Sequence, residues 1–181
     1  TEQHRHWVRA STGYSVPGFF NLTTGLDGLA GTNFSIKPQN NYNFEIGTDS
    51  KLHKTFGVQL VGFWVLVKNE IITQVNSTTA GSFAINADSS QYRGVEASYD
   101  WRPAPGWRVS GAYTHIDAQY INFADQFRVN GVGPVTQVLR DGKQVPNVAR
   151  DVLNFKEEYD HPSGWGGWFE TTYWNSYFLN N

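Results

Sequence analysis

Apolar and polar side chains alternate along seven stretches of this chain, at 5–14, 40–49, 55–72, 92–101, 107–120, 151–159 and 167–177. A period of two puts successive side chains on opposite faces of a strand. On the fourth stretch Val95, Ala97, Tyr99 and Trp101 share one side, opposite Glu96, Ser98 and Asp100. On the sixth, Leu153, Phe155 and Tyr159 oppose Asn154, Lys156 and Glu158. Glu157 falls on the apolar side, which calls either for a position near an interface or for a break in register. Several stretches exceed the usual globular strand of about five to six residues. They match the roughly 9–11 residues that cross a bilayer at a tilt.

The links between these stretches alternate in length. Short ones (50–54, 102–106 and a turn on His161-Pro162-Ser163-Gly164) follow strands two, four and six. Long polar ones (17–39, 73–91 and 121–150) follow strands one, three and five. All the long loops therefore gather at one end of an antiparallel meander, as in transmembrane barrels. Trp101 and Trp107 bracket one short turn, and Tyr159, Trp165 and Trp168 another. At the far ends stand Tyr120, Phe123, Tyr173, Trp174, Tyr177 and Phe178. Amphipathic rings at both ends are expected where girdles meet two membrane interfaces. Seven strands leave the ends on opposite rims, whereas bacterial single-chain barrels have an even number, so the sheet is expected to be unfinished.

Composition agrees with strands. Aromatic residues make up 15% of the 181 positions and glycine contributes 18, while 17% are charged. Such residues fit pleated surfaces and their turns. Cysteine is absent, which removes disulfides and thiolate metal sites, and a net charge of −2 gives no footprint for nucleic acid. The longest apolar run, 60–67, is too short for a spanning helix. With no methionine and no signal peptide at its start, the chain is expected to be a fragment.

Seven short motifs, in order, resemble the C-terminal part of the barrel of TonB-dependent receptors of the siderophore branch. They are the segment 10–22 with its aromatics and Pro17, Ile36-Lys37-Pro38-Gln39 leading to Phe44-Glu45-Ile46-Gly47, the strand from Phe63 ending in Lys68-Asn69-Glu70-Ile71, Arg93-Gly94-Val95-Glu96, Gly106-Trp107, Ala112-Tyr113-Thr114, and 145–150. Three departures stand out. Gln39 replaces the family's usual Glu, and Asn147 and Ala149 replace Gly and Pro of a Val-Pro-Gly-Val-Pro-Arg segment.

The resemblance implies an all-β fold, an antiparallel meander of about seven strands within a transmembrane barrel of about 22. Residues 1–181 would then be a partial barrel, without the plug domain, the TonB box or the closing strands. It further implies a bacterial outer-membrane receptor, surrounded by outer-membrane lipid, that takes up ferric siderophores or another scarce nutrient with energy supplied through the TonB complex. No enzyme activity, cofactor, metal site or nucleic-acid partner is expected. The alternatives are a plug-less, porin-like barrel and a soluble β-sandwich that binds sugar. The sandwich predicts that Val95, Tyr99, Leu153 and Phe155 face a second sheet, and the barrel predicts that they face outward.

Candidate ligand contacts lie in the long loops: Phe19 and Phe20 in the first, and Phe123, Phe127, Arg128 and Arg140 in the third. Aromatic and cationic groups suit anionic or aromatic chelates through cation–π and charge-assisted contacts. Glu96 and Asp100 are expected to face the lumen and to hydrogen-bond the plug or the barrel wall. His4 and His6 share a face but supply too few ligands for a metal.

Overall fold

A computed structural model describes residues 3–76, 79–127 and 136–179. The seven alternating stretches form strands of one antiparallel sheet, here numbered with the other elements in chain order. They are β1 (His4–Ser15), β2 (Gln39–His53), β3 (Phe56–Val75), β4 (Ser82–Trp101), β5 (Trp107–Asn122), β8 (Asp151–Asp160) and β9 (Gly166–Trp174). They pair in the order β1-β2-β3-β4-β5-β8-β9, a meander with two open edges. The third long loop contains a separate hairpin of β6 (Ala124–Phe127) and β7 (Thr136–Leu139). The first holds one helical turn, α1 (Phe19–Thr23).

Register settles the faces, because residues directly opposite one another share a side. The row Leu60, Ala97, Tyr113, Leu153, Tyr173 runs across β3, β4, β5, β8 and β9 on one face. Val95 and Leu153 on this face remain 52% and 49% exposed, and among the described residues no second sheet packs over them. The sandwich alternative is thereby corrected: the apolar side chains face outward. The ten residue steps from Phe56 to Leu66 on this face, at about 3.3 Å each and a tilt of about 40°, rise about 25 Å. That is the height of a lipid-facing apolar band.

Glu157 lies on this outer face, opposite Val109 and Phe169, in an unbroken register. The register-break reading therefore falls. The residue sits next to the lower aromatic group, where Trp107 and Tyr159 rings are 4.7 Å apart, Tyr159 meets Trp165 at 5.5 Å, and His161 stacks on Trp165 at 4.8 Å. The turns beneath need left-handed backbone at Gly106 (φ 80) and Gly164 (φ 92), which glycine adopts without a Cβ penalty.

The strands extend further at the loop end than alternation indicates. Residues 82–91, read from sequence as loop, form the first half of β4 and pair with β3 up to Val75. The resulting hairpin projects above the sheet and is covered on both sides. On one side Ala87 and Ile85 join Ile72, Tyr92, Ala118, Tyr120, Phe123 and Val145 in the main hydrophobic cluster. On the other, Asn86 bonds the backbone of Lys37 in both directions, at 2.7 and 3.0 Å.

Candidate functional site

The face opposite the apolar band is lined with charge. Alternation brings Arg5, Arg9, Glu45, Asp49, Gln59, Asp100, Arg108, Lys156 and Glu158 to this side. Arg5 meets Asp49 at 2.5 Å, and Gln59 donates to the same carboxylate at 2.7 Å. Arg108 bridges Asp100 at 2.5 Å and Glu158 at 3.5 Å, while Lys156 reaches Glu158 at 2.7 Å. Apart from the Lys156–Glu158 pair within β8, these links cross from strand to strand, and together they border an open groove between Gln59, Ser98, Ser110 and Asn154. Such a surface is suited to water or a polar filling, not to hydrocarbon.

The two expected lumen carboxylates differ in surroundings. Asp100 is held by the wall through Arg108 and, at 3.8 Å, Arg102. Glu96 lies on the same face with its side chain exposed. Alternation alone does not mark Arg108 as a hub, although it puts Arg108 on the same face as Asp100 and Glu158. The Arg93-Gly94-Val95-Glu96 motif divides between faces. Arg93 bonds Asp117 at 2.8 Å on the outer side, and Gly94 lies under the ring of Phe63 on the inner one.

At the rim, the loops are tied to the sheet. The first long loop buries Asn33, whose Nδ2 donates to the Ala84 carbonyl at 2.8 Å. Its tip meets the β3–β4 hairpin where Gly28 (φ 78) and Gly81 touch backbone to backbone, leaving no room for a Cβ on either. Thr79 also donates to the Asp27 carbonyl. Below, Ser90 and Tyr92 both donate to the Glu70 carboxylate, just after Asn69 turns the strand with φ 53. Residues 140–150 run along the upper part of β5, with Gly142 N–H to Tyr120 O at 2.8 Å and Val145 N–H to Ala118 O at 3.0 Å.

These contacts distribute the candidate ligand residues unequally. Phe19 and Phe20 stand 74% and 81% exposed on α1, their rings edge to face at 6.0 Å. Phe123 is only 5% exposed, packed against Tyr120 at 4.9 Å in the hydrophobic cluster beneath residues 140–150. Arg140 is half-buried, and its N–H donates to the Phe123 carbonyl at 2.8 Å. Arg128 and the side chain of Phe127 lie outside the described residues. The structure thus brings Phe123 and Arg140 together and leaves Phe19 and Phe20 on a separate loop.

The fold recurs in solved proteins. The copper transporter OprC is similar with a TM-score of 0.64 at 12% identity, over 88% of this chain and 22% of its own. The siderophore receptor PiuA of Acinetobacter baumannii gives 0.59 at 20% identity, over 88% of this chain and 22% of its own. The ferric yersiniabactin uptake receptor FyuA of Yersinia pestis gives 0.56 at 23% identity, over 90% and 22%. This chain spans about a fifth of the length of these proteins, and at such identities the likeness concerns the fold. A family model described as TonB dependent receptor-like, beta-barrel matches residues 1–181. With its outward apolar band, charged inner face and long loops on one rim, the chain belongs to the TonB-dependent receptor β-barrel family.

Proposed function

We propose that this chain is wall and rim of an outer-membrane receptor that imports a ferric siderophore, or a similarly scarce chelated nutrient, with energy delivered through TonB. The observation that supports it best is the pairing of family with asymmetry. This chain belongs to the family and has short turns flanked by aromatic residues on one rim and long loops on the other. In this reading 1–181 is part of a larger barrel of about 22 strands, closed by strands outside the chain and filled by a plug.

Within that barrel the charged inner face holds water and the plug. Glu96, exposed on that face, serves as a plug contact, while Asp100 serves the wall through Arg108. The exposed Phe19 and Phe20 are assigned to ligand capture. Phe123 and Arg140 support the rim from beneath, so their contribution to binding is through the loop they hold. The function is transport and recognition, not catalysis.

The test is uptake. Cells lacking the gene should lose accumulation of radiolabelled iron supplied as a ferric siderophore. Restoring the gene should recover it only while the inner membrane is energised and TonB is present. Uptake that persists without either would point to passive diffusion through an open pore and against this reading.

A further inference from the structure

The first long loop and the β3–β4 hairpin are almost free of charge, unlike residues 140–150 of the same rim, which carry Arg140, Asp141, Lys143 and Arg150. Between Val16 and Ile36 the only ionisable residue is Asp27, and its carboxylate accepts the Leu29 N–H at 3.0 Å. Between Glu70 and Asp88 the β3–β4 hairpin has none. The two segments are joined at Gly28 and Gly81 and through Asn33, so the uncharged surface is continuous across both. It presents Phe19, Phe20, Leu26, Leu29 and Phe34, each more than half exposed. The inner face lower down is the reverse, crowded with Arg5, Asp49, Asp100, Arg108 and Glu158.

From this contrast we infer that the ligand captured at this part of the rim is a ferric chelate with an aromatic or acyl periphery and no net charge, not a polyanionic one. The inference rests on the receptor reading given above. An anionic chelate gains most from arginine and lysine forks, and the stretch that carries the exposed rings offers none before Lys37 at its end. Exposed rings set edge to face instead offer faces and edges on which another aromatic group packs. Phe19 and Phe20 determine specificity here by apolar contact.

The experiment uses the intact receptor in outer-membrane vesicles. Two probes are titrated by tryptophan fluorescence: an uncharged ferric tris(hydroxamate) with phenyl-bearing acyl groups, and a trianionic ferric tris(catecholate). The expected result is at least about tenfold tighter binding of the uncharged probe, changing less than about twofold between low and high salt. The double variant Phe19→Ala/Phe20→Ala should weaken it by about tenfold or more. Both side chains are exposed, so the variant should fold, and unchanged vesicle content of the protein checks this. Equal or tighter binding of the trianionic probe overturns the inference and leaves the receptor reading intact. Unchanged binding by the double variant, with loosened membrane association, also overturns it and assigns the rings to lipid. Absence of binding and uptake for every ferric chelate instead removes the receptor reading itself.

Discussion

The ring of Tyr99 lies across Gly111, its direct register partner on the outer face, so closely that a Cβ there would come within 2.5 Å of Cε1. The same relationship joins Phe63 to Gly94 and Trp7 to Gly47, both on the inner face. In each pair an aromatic side chain covers the gap left by glycine on the neighbouring strand. The arrangement restores packing that glycine alone would forfeit. These three pairs, on three different strand pairings, also fix register, because a one-residue slip would send each ring to the wrong face.

Gly111→Ala should destabilise the folded wall by about 1–3 kcal/mol, the usual range for overpacking. Gly94→Ala should cost more. There the added methyl would run into the carbonyl oxygen of His115 as well as the Phe63 ring. A ring can tilt aside, whereas a ladder carbonyl moves only with its strand. Urea unfolding of the refolded receptor in lipid vesicles measures both, and the order Gly94 above Gly111 is the expected outcome.

Adjacent positions on β4 should respond in opposite ways to a charge. Ala97 stands on the apolar face midway between Trp101 and Arg93, and Ser98 faces the polar groove. Ala97→Arg should lower stability by about 2–4 kcal/mol, as arginine does near the midplane of a barrel's lipid face. Ser98→Arg should stay within about 0.5 kcal/mol of the parent. The same vesicle titration compares them.

Loop docking depends on Asn33 and Asn86. Asn33 is 5% exposed and donates to Ala84, so Asn33→Ala strands a buried carbonyl at a cost of about 1–3 kcal/mol. Asn86→Ala removes both bonds to Lys37 and a third to the Asn69 carbonyl. Either change should release residues 17–38 from the hairpin. Limited proteolysis should then cut this loop several-fold faster, with the strands still protected.

Glu70 binds two hydroxyls beneath the rim, one of them on the fully buried Ser90. Glu70→Gln keeps an acceptor and should preserve the packing of residues 140–150. Glu70→Ala leaves Ser90 and Tyr92 without it and should loosen that segment. Amide hydrogen exchange at Gly142 and Val145, which bond to β5, should accelerate in the alanine variant alone.

Much of this wall was legible in the sequence, for a physical reason. Where a strand has one apolar and one polar face, as in Val95 to Trp101 or Leu153 to Tyr159, period-two alternation is strong and names the faces. Beyond the apolar band, at the loop end, that contrast ends. Residues 82–91 pack against loops on both sides, so small and polar residues mix and the extension of β4 reads as loop. Tyr120 and Phe123 look like a girdle by position, but residues 140–150 fold over them. The chain-order resemblance did mark unusual backbone. Asn147 stands where the family has glycine and adopts φ 61, a conformation asparagine tolerates better than most residues. The fold of a long loop rests on such single positions and leaves no periodic trace.

The most direct test of the account is sided labelling of single cysteines, made clean in this segment by the absence of native ones. Ala80→Cys sits at the tip of the β3–β4 hairpin and Ala104→Cys in the short β4–β5 turn. In intact cells a membrane-impermeant maleimide should label the first and spare the second until the outer membrane is opened. Equal labelling of both in intact cells, or labelling of Ala104→Cys alone, would contradict a membrane-spanning wall with its long loops outside.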